Sequence, residues 1–258
     1  MRLTFLGTGT SFGVPVVGCG CATCRSTDPR DRRTRSGALL QSGSATLLID
    51  SPPELRLQLL GQGVRTLDAV LYTHEHADHT AGIDDLRIFT VRHGGHLPVY
   101  GPPETLGALR DTYRYIFDPA VTEFAGTTKP HLEPHPLTPG VAIEVAGVPV
   151  LPLAFPHGHL RVYGYRFGRL AYLTDVKAVG PAERAALQGL DVLVVNALLA
   201  EPHPTHLSID EAVAVARELG ARQTFLTHLT HANRHADLAD RLPAGVAPAF
   251  DGLAVEIS

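Results

Sequence analysis

Short apolar runs rich in β-branched and aromatic residues recur along the chain and alternate with longer segments whose apolar residues have helical spacing. The apolar runs include LTFLG, ATLLID, AVLYT, LPVYG, VPVLPL, YGYRF, LAYLTD, DVLVVN, TFLTH and LAVEI. The helix-like segments include PPELRLQLLGQ, TAGIDDLRIFTV, PAERAALQG and SIDEAVAVARELG. Strands that alternate with helices in this way predict an α/β class.

Local signals mark the start of one helix and a division near the middle of the chain. Ser208 precedes the last helix-like segment and Glu211 follows three residues later, a spacing that predicts a capping box. The Pro- and Gly-rich stretch 125–140 separates the two parts of the chain. We interpret it as a connection between two similar halves of a single domain that spans residues 1–258.

The composition is typical of a compact globular protein. The chain has 258 residues, of which 44% are hydrophobic and 19% charged, with a formal net charge of −4. This charge makes nucleic acid an unlikely partner, and we interpret the one basic run, residues 25–35, as a solvated loop. No apolar run approaches the roughly 20 residues that cross a bilayer, and the apolar start is too short for a signal peptide. We therefore expect a cytoplasmic protein with no membrane partner and with reduced cysteines.

Polar residues that could bind a ligand follow the apolar runs, at the points where strands are expected to end. They are Asp50, His74, His157, Asp175 and His228. Ligands gather at strand ends in open α/β sheets, so we expect these residues to meet at one rim although they are far apart in the sequence.

The segment LYTHEHADHTAGI (71–83) carries the densest group of candidate ligands. His74 and His76 alternate behind a strand and suit one metal ion, whereas Asp78 and His79 open the next helix and suit a second. The residues that could complete these sites are His157 for the first ion, His228 for the second and Asp175 as a bridge. Two divalent ions about 3.5–4 Å apart lower the pKa of a shared water, so that a bridging hydroxide becomes the nucleophile.

This cluster resembles the metallo-β-lactamase superfamily. The resemblance covers essentially the whole chain and implies a four-layer αβ/βα sandwich with a binuclear metal site at one edge. It implies the same two ligand groups and gives Asp50 the role of orienting a ligating imidazole. His159 lies two residues after His157 and stays an alternative ligand. An aspartate at position 175, where common β-lactamases have cysteine, favours the phosphodiesterase and glyoxalase branches.

All three cysteines lie in the segment GCGCATC, as Cys19, Cys21 and Cys24. Three thiolates are one ligand short of a closed tetrahedral zinc site, and His231 in LTHLTHANRH can supply the fourth. Such a structural Zn²⁺ would tie the N-terminal loop to the loop that carries His228. The alternative interpretation is three buried reduced cysteines without a metal.

The cysteine segment together with LTHLTH resembles the phosphoribosyl 1,2-cyclic phosphate phosphodiesterases. This resemblance implies a homodimeric hydrolase of phosphoribosyl 1,2-cyclic phosphate or nucleoside 2′,3′-cyclic phosphates, with Asp78 and Asp175 essential for catalysis. It gives His206 the role of the general acid that protonates the leaving oxygen. Arg87 is a candidate for binding the substrate phosphate, because guanidinium groups match phosphate oxygens.

Two other functions stay open from the sequence. An RNA-processing hydrolase of the tRNA 3′-endonuclease type shares the HxHxDH core, although no basic arm for gripping tRNA is visible. A non-catalytic metal-binding module needs neither a vacant coordination position nor His206. The His and Asp ligands accept Mn²⁺, Zn²⁺ or Fe²⁺, so the residues do not decide which two divalent ions the active site holds.

Overall fold

The computed structural model describes residues 1–257, which form two seven-stranded mixed sheets. The strands of the first sheet, in spatial order, are β14 (Ala254–Glu256), β1 (Arg2–Gly7), β2 (Gly37–Ser42), β3 (Ala45–Ile49), β4 (Ala69–Leu71), β5 (Leu97–Gly101) and β6 (Leu132–Pro136). The strands of the second sheet are β13 (Val246–Pro248), β12 (Gln223–Thr227), β11 (Val192–Asn196), β10 (Leu170–Leu173), β9 (Leu160–Phe167), β8 (Val148–His157) and β7 (Ile143–Val145). The chain thus passes from one sheet to the other just after β6, which lies within the Pro- and Gly-rich stretch 125–140.

Eight α-helices in the described part of the chain connect or cover these strands. They are α1 (Leu55–Gly61), α2 (Ala77–Thr80), α3 (Arg87–His93), α4 (Pro103–Thr112), α5 (Arg114–Phe117), α6 (Pro181–Ala186), α7 (Ile209–Leu219) and α8 (His235–Arg241). Short 3₁₀ turns occupy Pro29–Asp31 and Ile83–Leu86. Within residues 1–257, no helix combines the length and the apolar character that crossing a membrane requires.

The strands are apolar on both faces because each sheet is covered on both sides. Leu47 and Ile49 of β3 pack in the core between the two sheets, whereas Leu48 points to the outer core beneath the helices of the first half. In β11, Val194 faces the inner core and Val195 faces the outer core that includes α7. This two-residue alternation places a helix layer outside each sheet. The four-layer αβ/βα arrangement predicted from the sequence is confirmed.

Helix α7 begins where the capping pattern predicted. Ser208 is its N-cap, the Glu211 backbone N–H donates to the Ser208 hydroxyl at 3.3 Å, and the Ser208 N–H donates to the Glu211 carboxylate at 2.8 Å. These bonds satisfy backbone groups that the first turn of a helix leaves without partners.

The helix-like segment TAGIDDLRIFTV is not one continuous helix. It is divided into the end of α2, a 3₁₀ turn and α3, and Gly82 lies at the first division. A Cβ atom at Gly82 would lie 2.2 Å from the carbonyl oxygen of Pro52, so only glycine allows the chain to pass so closely. This tight passage interrupts the helical pattern.

The interpretation of residues 25–35 as a solvated loop is wrong for the middle of this run, where side chains are buried. Arg33 and Asp31 are almost completely buried, and their charged groups lie 3.7 Å apart. Asp31 also accepts a hydrogen bond from the His235 backbone N–H at 2.7 Å. The basic run therefore anchors the N-terminal loop against the start of α8, because a buried guanidinium and a buried carboxylate offset each other's charge.

Candidate metal-dependent active site

Strand ends from both sheets converge on one rim of the sandwich. In the first sheet, Asp50 directly follows β3 and His74 comes three residues after β4. In the second sheet, His157 is the last residue of β8, and Asp175 and His228 follow β10 and β12. All five side chains are buried. The parallel pairing of β3 with β4 and of β10 with β11 and β12 brings their carboxyl ends to the same edge.

Three of these residues have a left-handed backbone conformation that is uncommon for residues other than glycine. The φ angles are 62° for Asp50, 60° for Asp175 and 57° for His228. Each residue lies at the point where the chain turns away from its strand, so the turn directs the side chain to the rim. Such strained positions are maintained by surrounding structure and concentrate at functional sites.

The first ligand group joins residues from three parts of the chain. The potential ligand atoms of His74, His76, His157 and Asp175 all lie within 4.8 Å of one another. Nε2 of His74 is 3.0 Å from Nδ1 of His76 and 3.8 Å from Oδ2 of Asp175. Three imidazole nitrogens and one carboxylate oxygen therefore surround a common point.

The second ligand group is formed by Asp78, His79 and His228, whose potential ligand atoms also lie within 4.8 Å of one another. Oδ2 of Asp78 is 3.5 Å from Nε2 of His79 and 3.6 Å from Nε2 of His228. The other oxygen of Asp175, Oδ1, lies 3.6 Å and 3.4 Å from the same two nitrogens. The two oxygens of Asp175 thus face the two different groups.

These residues fit a pair of divalent cations. The Nε2 atoms of His79 and His228 are buried and have no hydrogen-bond partner among the residues that the structure describes. Polar atoms are costly to bury without a partner, and both nitrogens point to carboxylate oxygens that are too distant for a good hydrogen bond. Imidazole nitrogens and carboxylate oxygens are the donors that Zn²⁺ and Mn²⁺ accept. A cation within each group would satisfy these unpaired atoms.

The electrostatics of the rim favour the metal-binding protonation state at His74 and Asp175 but not at His79. Burial lowers the pKa of His79, but the Asp175 and Asp50 carboxylates outweigh it and hold the pKa well above its usual value, so a cation would displace a proton there. Burial and the neighbouring His79 lower the pKa of His74 well below its usual value, so its imidazole is neutral. Burial raises the pKa of Asp175, but the nearby His228 and His79 outweigh it and hold the pKa well below the usual value. A neutral imidazole and an ionised carboxylate are the forms that coordinate a cation.

Asp50 lies behind the second ligand group. One of its carboxylate oxygens, Oδ2, is 2.7 Å from Nδ1 of His79. The backbone N–H and the hydroxyl of Thr73 donate to the same carboxylate at 2.8 Å and 2.9 Å. If Nδ1–H of His79 donates to Asp50, Nε2 of His79 is left to face the rim.

The three cysteines and His231 form a separate cluster at the surface. The Sγ atoms of Cys19, Cys21 and Cys24 lie 3.3 Å, 3.7 Å and 3.5 Å from Nδ1 of His231. The backbone N–H of Cys24 lowers the pKa of the Cys21 thiol to about 6, whereas burial raises the pKa of the Cys24 thiol to about 11, so Cys21 ionises more readily than Cys24. Three thiol groups and one imidazole at these distances fit a closed tetrahedral Zn²⁺ site. The cluster connects the N-terminal loop with the loop after β12, as the sequence predicted.

His206 lies beside Asp175 at the edge of a cavity. Its Nε2 atom is 3.1 Å from Oδ2 of Asp175, and its ring stacks on His228 with a centroid distance of 5.1 Å. The cavity has a volume of about 540 Å³ and is also lined by Ser11 and His159. A small molecule that enters it meets both ligand groups and His206.

The comparison with known proteins decides the family. Residues 45–229 match the family model described as beta-lactamase superfamily domain. The chain belongs to the metallo-β-lactamase superfamily.

Within this superfamily, the chain is similar to a diphosphatase from the PhnP family whose crystal structure is known. The two structures superpose with a TM-score of 0.91 at 41% sequence identity, over 99% of this chain and 97% of the diphosphatase. A ribonuclease Z of Methanopyrus kandleri is 29% identical over 89% of this chain and 94% of its own length. An octanoyltransferase of Porphyromonas gingivalis is 39% identical over 98% of this chain. This chain spans only 51% of the length of that octanoyltransferase.

The structure of this metallo-β-lactamase superfamily member does not bring every candidate residue to the rim. Arg87 pairs with Asp84 on the neighbouring turn and lines a different groove, together with Arg56 and Ile88. His159 lines the cavity but is not part of either ligand group, whereas His157 is.

Sequence reasoning missed the two residues that contact His206 from behind, His203 and Thr205. The Thr205 hydroxyl is 2.8 Å from Nδ1 of His206, and Nδ1 of His203 is 3.3 Å from the same atom. The short spacing in HPTH was the available signal, because it places three polar side chains on one loop before α7.

Proposed function

We propose that this protein is a metal-dependent phosphodiesterase that hydrolyses small cyclic phosphates. The substrates we expect are phosphoribosyl 1,2-cyclic phosphate or nucleoside 2′,3′-cyclic phosphates. The observation that carries the proposal is the position of Asp175, whose two oxygens face two separate His-rich groups while His206 lies 3.1 Å away. This arrangement suits two cations, a bridging carboxylate and an adjacent proton donor.

The proposed roles divide between cation binding and proton transfer. The residues that would hold the cations are His74, His76 and His157 on one side, Asp78, His79 and His228 on the other, and Asp175 between the two groups. Two bound divalent cations, Mn²⁺ or Zn²⁺, supply Lewis-acid stabilisation of the phosphate and activation of the attacking water. His206 donates the proton on Nε2 to the leaving oxygen, and its place beside Asp175 directs that nitrogen to the cavity.

The cavity supports a substrate of limited size. Its volume of about 540 Å³ lies in the range of small-molecule sites and is shared by metal ligands and His206. The net charge of −4 disfavours a long polyanion such as RNA. A small anionic phosphodiester satisfies both conditions, because two cations attract its phosphate while its organic part fills the cavity.

A second candidate function is hydrolysis of a diphosphate bond. The observation that favours it is the similarity to the diphosphatase from the PhnP family, at 41% identity over nearly the whole chain. A diphosphate and a cyclic phosphodiester present the same phosphoryl oxygens to a pair of cations. They differ in the leaving group, which is a phosphate in one case and a sugar oxygen in the other.

Oligomeric state is part of the proposal. We expect a homodimer in the cytosol, where the cysteine thiols of the zinc cluster stay reduced. An exposed apolar strip on α1 and α3 supports a contact between copies, because Leu60 is 64% and Val91 51% exposed. Arg56 and Asp85 lie along the same groove, so two copies related by a twofold axis can pair opposite charges. Light scattering should give the mass of a dimer, and Leu60→Asp should shift it to that of a monomer.

The test of the activity compares four substrates with the metal-loaded protein. They are a nucleoside 2′,3′-cyclic phosphate, a nucleoside diphosphate, a precursor tRNA and an acyl thioester. We expect turnover of the cyclic phosphate and a loss of roughly 10³-fold in Asp175→Asn, because that change removes the negative charge between the cations. Asp111→Asn, an exposed change on α4, is the matched control and should keep full activity.

The other possible results of this substrate comparison would change or overturn the proposal. Faster turnover of the diphosphate would replace the first candidate by the second. Turnover of precursor tRNA or thioester alone, or full activity in Asp175→Asn, would overturn the phosphodiesterase proposal.

A further inference from the structure

Ser11 and Phe12 form the tip of a tight turn at the edge of the candidate active site. The turn is closed by a hydrogen bond of 2.8 Å, which the Gly13 backbone N–H donates to the Thr10 carbonyl oxygen. Ser11 lines the same cavity as His206. Phe12 comes next in the chain and is 73% exposed. A large apolar side chain is therefore held in water beside the proposed substrate cavity.

Hydrogen bonds on both sides fix the position of this turn. Gly9 and Val14, which lie before and after it, donate backbone hydrogen bonds of 2.8 Å and 2.7 Å to carbonyl oxygens of the segment 33–34. The side chain of Arg35 donates from Nε to the Ser11 carbonyl oxygen at 3.1 Å. The turn is therefore held in place before a ligand arrives, and little backbone ordering is needed when one binds.

Phe12 is one of three exposed phenylalanine or tyrosine residues in the described part of the chain. The other two have a different position. Tyr115 donates its hydroxyl hydrogen to Asp84, and Phe124 is 79% exposed but follows Glu123, which lines a different cavity. Of the three residues, Phe12 alone is joined directly to a residue that lines the candidate active site.

The cavity offers charge and hydrogen bonds but little apolar surface to the organic part of a substrate. Of its described lining residues, only Ala77, Gly158 and Leu160 lack a polar side chain. A phosphate bound at the two ligand groups must extend its organic part away from them. Since consecutive Cα atoms are about 3.8 Å apart, the ring of Phe12 is within reach of a group that contacts Ser11. The turn can therefore supply the apolar contact that the cavity lacks.

We propose that Phe12 is a specificity-determining residue whose ring stacks on the nucleobase of a nucleoside 2′,3′-cyclic phosphate. This inference rests on the proposed phosphodiesterase function and selects the nucleoside cyclic phosphates over phosphoribosyl 1,2-cyclic phosphate, which has no base. Every nucleobase has a π face, so one aromatic ring accepts different bases. Stacking stabilises the bound substrate and the transition state equally, and it therefore lowers KM without raising kcat.

The first test compares a substrate that has a base with one that has none. Phe12→Ala should raise KM for adenosine 2′,3′-cyclic phosphate about 5–100-fold, the range for losing one stacked base, and keep kcat within about 2-fold. KM for phosphoribosyl 1,2-cyclic phosphate should not change. Phe12→Tyr keeps the ring and should behave as the wild type. Phe124→Ala, the same change at an exposed phenylalanine outside the cavity lining, is the matched control.

Several results of these kinetics would overturn the inference. One is an unchanged KM for the adenosine substrate in Phe12→Ala, and another is an equal rise of KM for both substrates. A fall in kcat in place of a rise in KM would show that the ring supports the structure of the site instead of binding a base. A wild type that hydrolyses phosphoribosyl 1,2-cyclic phosphate with the higher kcat/KM would also contradict it.

The second test measures binding without turnover. The chain contains no tryptophan, so Phe12→Trp introduces a single indole fluorophore at the turn. We expect adenosine 3′-monophosphate to quench its fluorescence in the metal-loaded protein, because a stacked base quenches indole, whereas ribose 5-phosphate should leave it unchanged. Equal quenching by both compounds, or quenching by neither, would contradict the stacking. If the wild type hydrolyses no phosphodiester, the proposed function fails, whereas this titration still decides the role of Phe12.

Discussion

Nδ1 of His79 lies 2.7 Å from Oδ2 of Asp50, and both side chains are completely buried. Two further hydrogen bonds from Thr73 fix the Asp50 carboxylate, so the carboxylate holds the His79 ring at a defined angle. The ring then presents Nε2 to Asp78 and Asp175. Asp50, which belongs to neither ligand group, therefore determines the direction of His79, a candidate metal ligand.

Replacing Asp50 should weaken the second metal site without removing a ligand. We expect Asp50→Asn to lower the affinity for Zn²⁺ at that site by about 10–100-fold, because the amide cannot fix the tautomer of His79 as the carboxylate does. Competition with a chromophoric chelator measures this affinity. Asp111→Asn should leave it unchanged, and an unaltered affinity in Asp50→Asn would show that the contact has no orienting role.

Asp78 belongs to only one of the two ligand groups, so its replacement should remove one cation. We expect Asp78→Ala to bind one active-site ion less than the wild type while circular dichroism stays unchanged. Turnover of the cyclic phosphate should fall by roughly 10³-fold, since one half of the charge stabilisation is lost. Elemental analysis and steady-state kinetics check both statements, and undiminished turnover would remove the two-cation mechanism.

His157 and His159 form a matched pair for testing ligand choice. His157 pairs with Leu160 across the β8–β9 hairpin, which leaves Gly158 and His159 as the two turn residues. The His157 side chain is buried against the rim, whereas His159 is exposed. We expect His157→Ala to lose one active-site ion and His159→Ala to keep both. Metal analysis after gel filtration decides between them, and the reverse result would assign the ligand to His159.

The cysteine cluster should hold a third metal ion that resists chelation. We expect three ions per chain in the wild type and two after Cys21→Ser. The thermal midpoint should fall by at least about 5 °C, because a structural zinc site contributes directly to folding. Thr27→Ala, an exposed change in the same loop, is the control. The same midpoint in Cys21→Ser and in the control would argue against a structural zinc ion.

The capping box of α7 contributes stability that depends on pH. Ser208→Ala should lower the free energy of unfolding by about 1 kcal/mol, because the Glu211 backbone N–H loses its acceptor. Partial burial raises the pKa of Glu211, but the Lys177 ammonium and the Ser208 backbone N–H outweigh it and leave the pKa below its usual value.

The sign of the pH effect follows from this lowered pKa. The contribution of Glu211 is present above its ordinary pKa of 4.5 and is lost as the pH falls through the lower folded-state pKa. Glu211→Gln should therefore be less stable than the wild type at pH 7. The difference should start to shrink near pH 4.5 and disappear only below the lowered folded-state pKa. Urea unfolding of both proteins at pH 7 and below the folded-state pKa of Glu211 tests this. A stability difference that is the same at both pH values would exclude the ionised carboxylate as its source.

Much of this protein could be predicted from local patterns in the sequence. Alternation of apolar runs with helical segments predicted the α/β class, since strands buried on both faces require such runs, and the resemblance to the metallo-β-lactamase superfamily implied the four layers. The spacing of His74, His76, Asp78 and His79 predicted metal-binding chemistry, because a strand end and the following helix fix their relative directions. The Ser208–Glu211 pair predicted the start of α7, because the two residues of a capping box bond to each other within the first turn of a helix.

The strand-end positions also predicted that distant residues would meet at one rim, and the structure brings them together there. Only the tertiary structure decided how each side chain is oriented and which further residues contact it. The burial of Arg33, the separate groove of Arg87 and the contacts of Thr205 with two histidines depend on how the loops pack between the sheets. The direction of the Asp175 side chain depends on a left-handed backbone conformation, which the residues around Asp175 do not predict. Periodicity specifies a residue's place along its own strand or helix, whereas contacts across the rim depend on the packing of two sheets, which no short stretch of sequence contains.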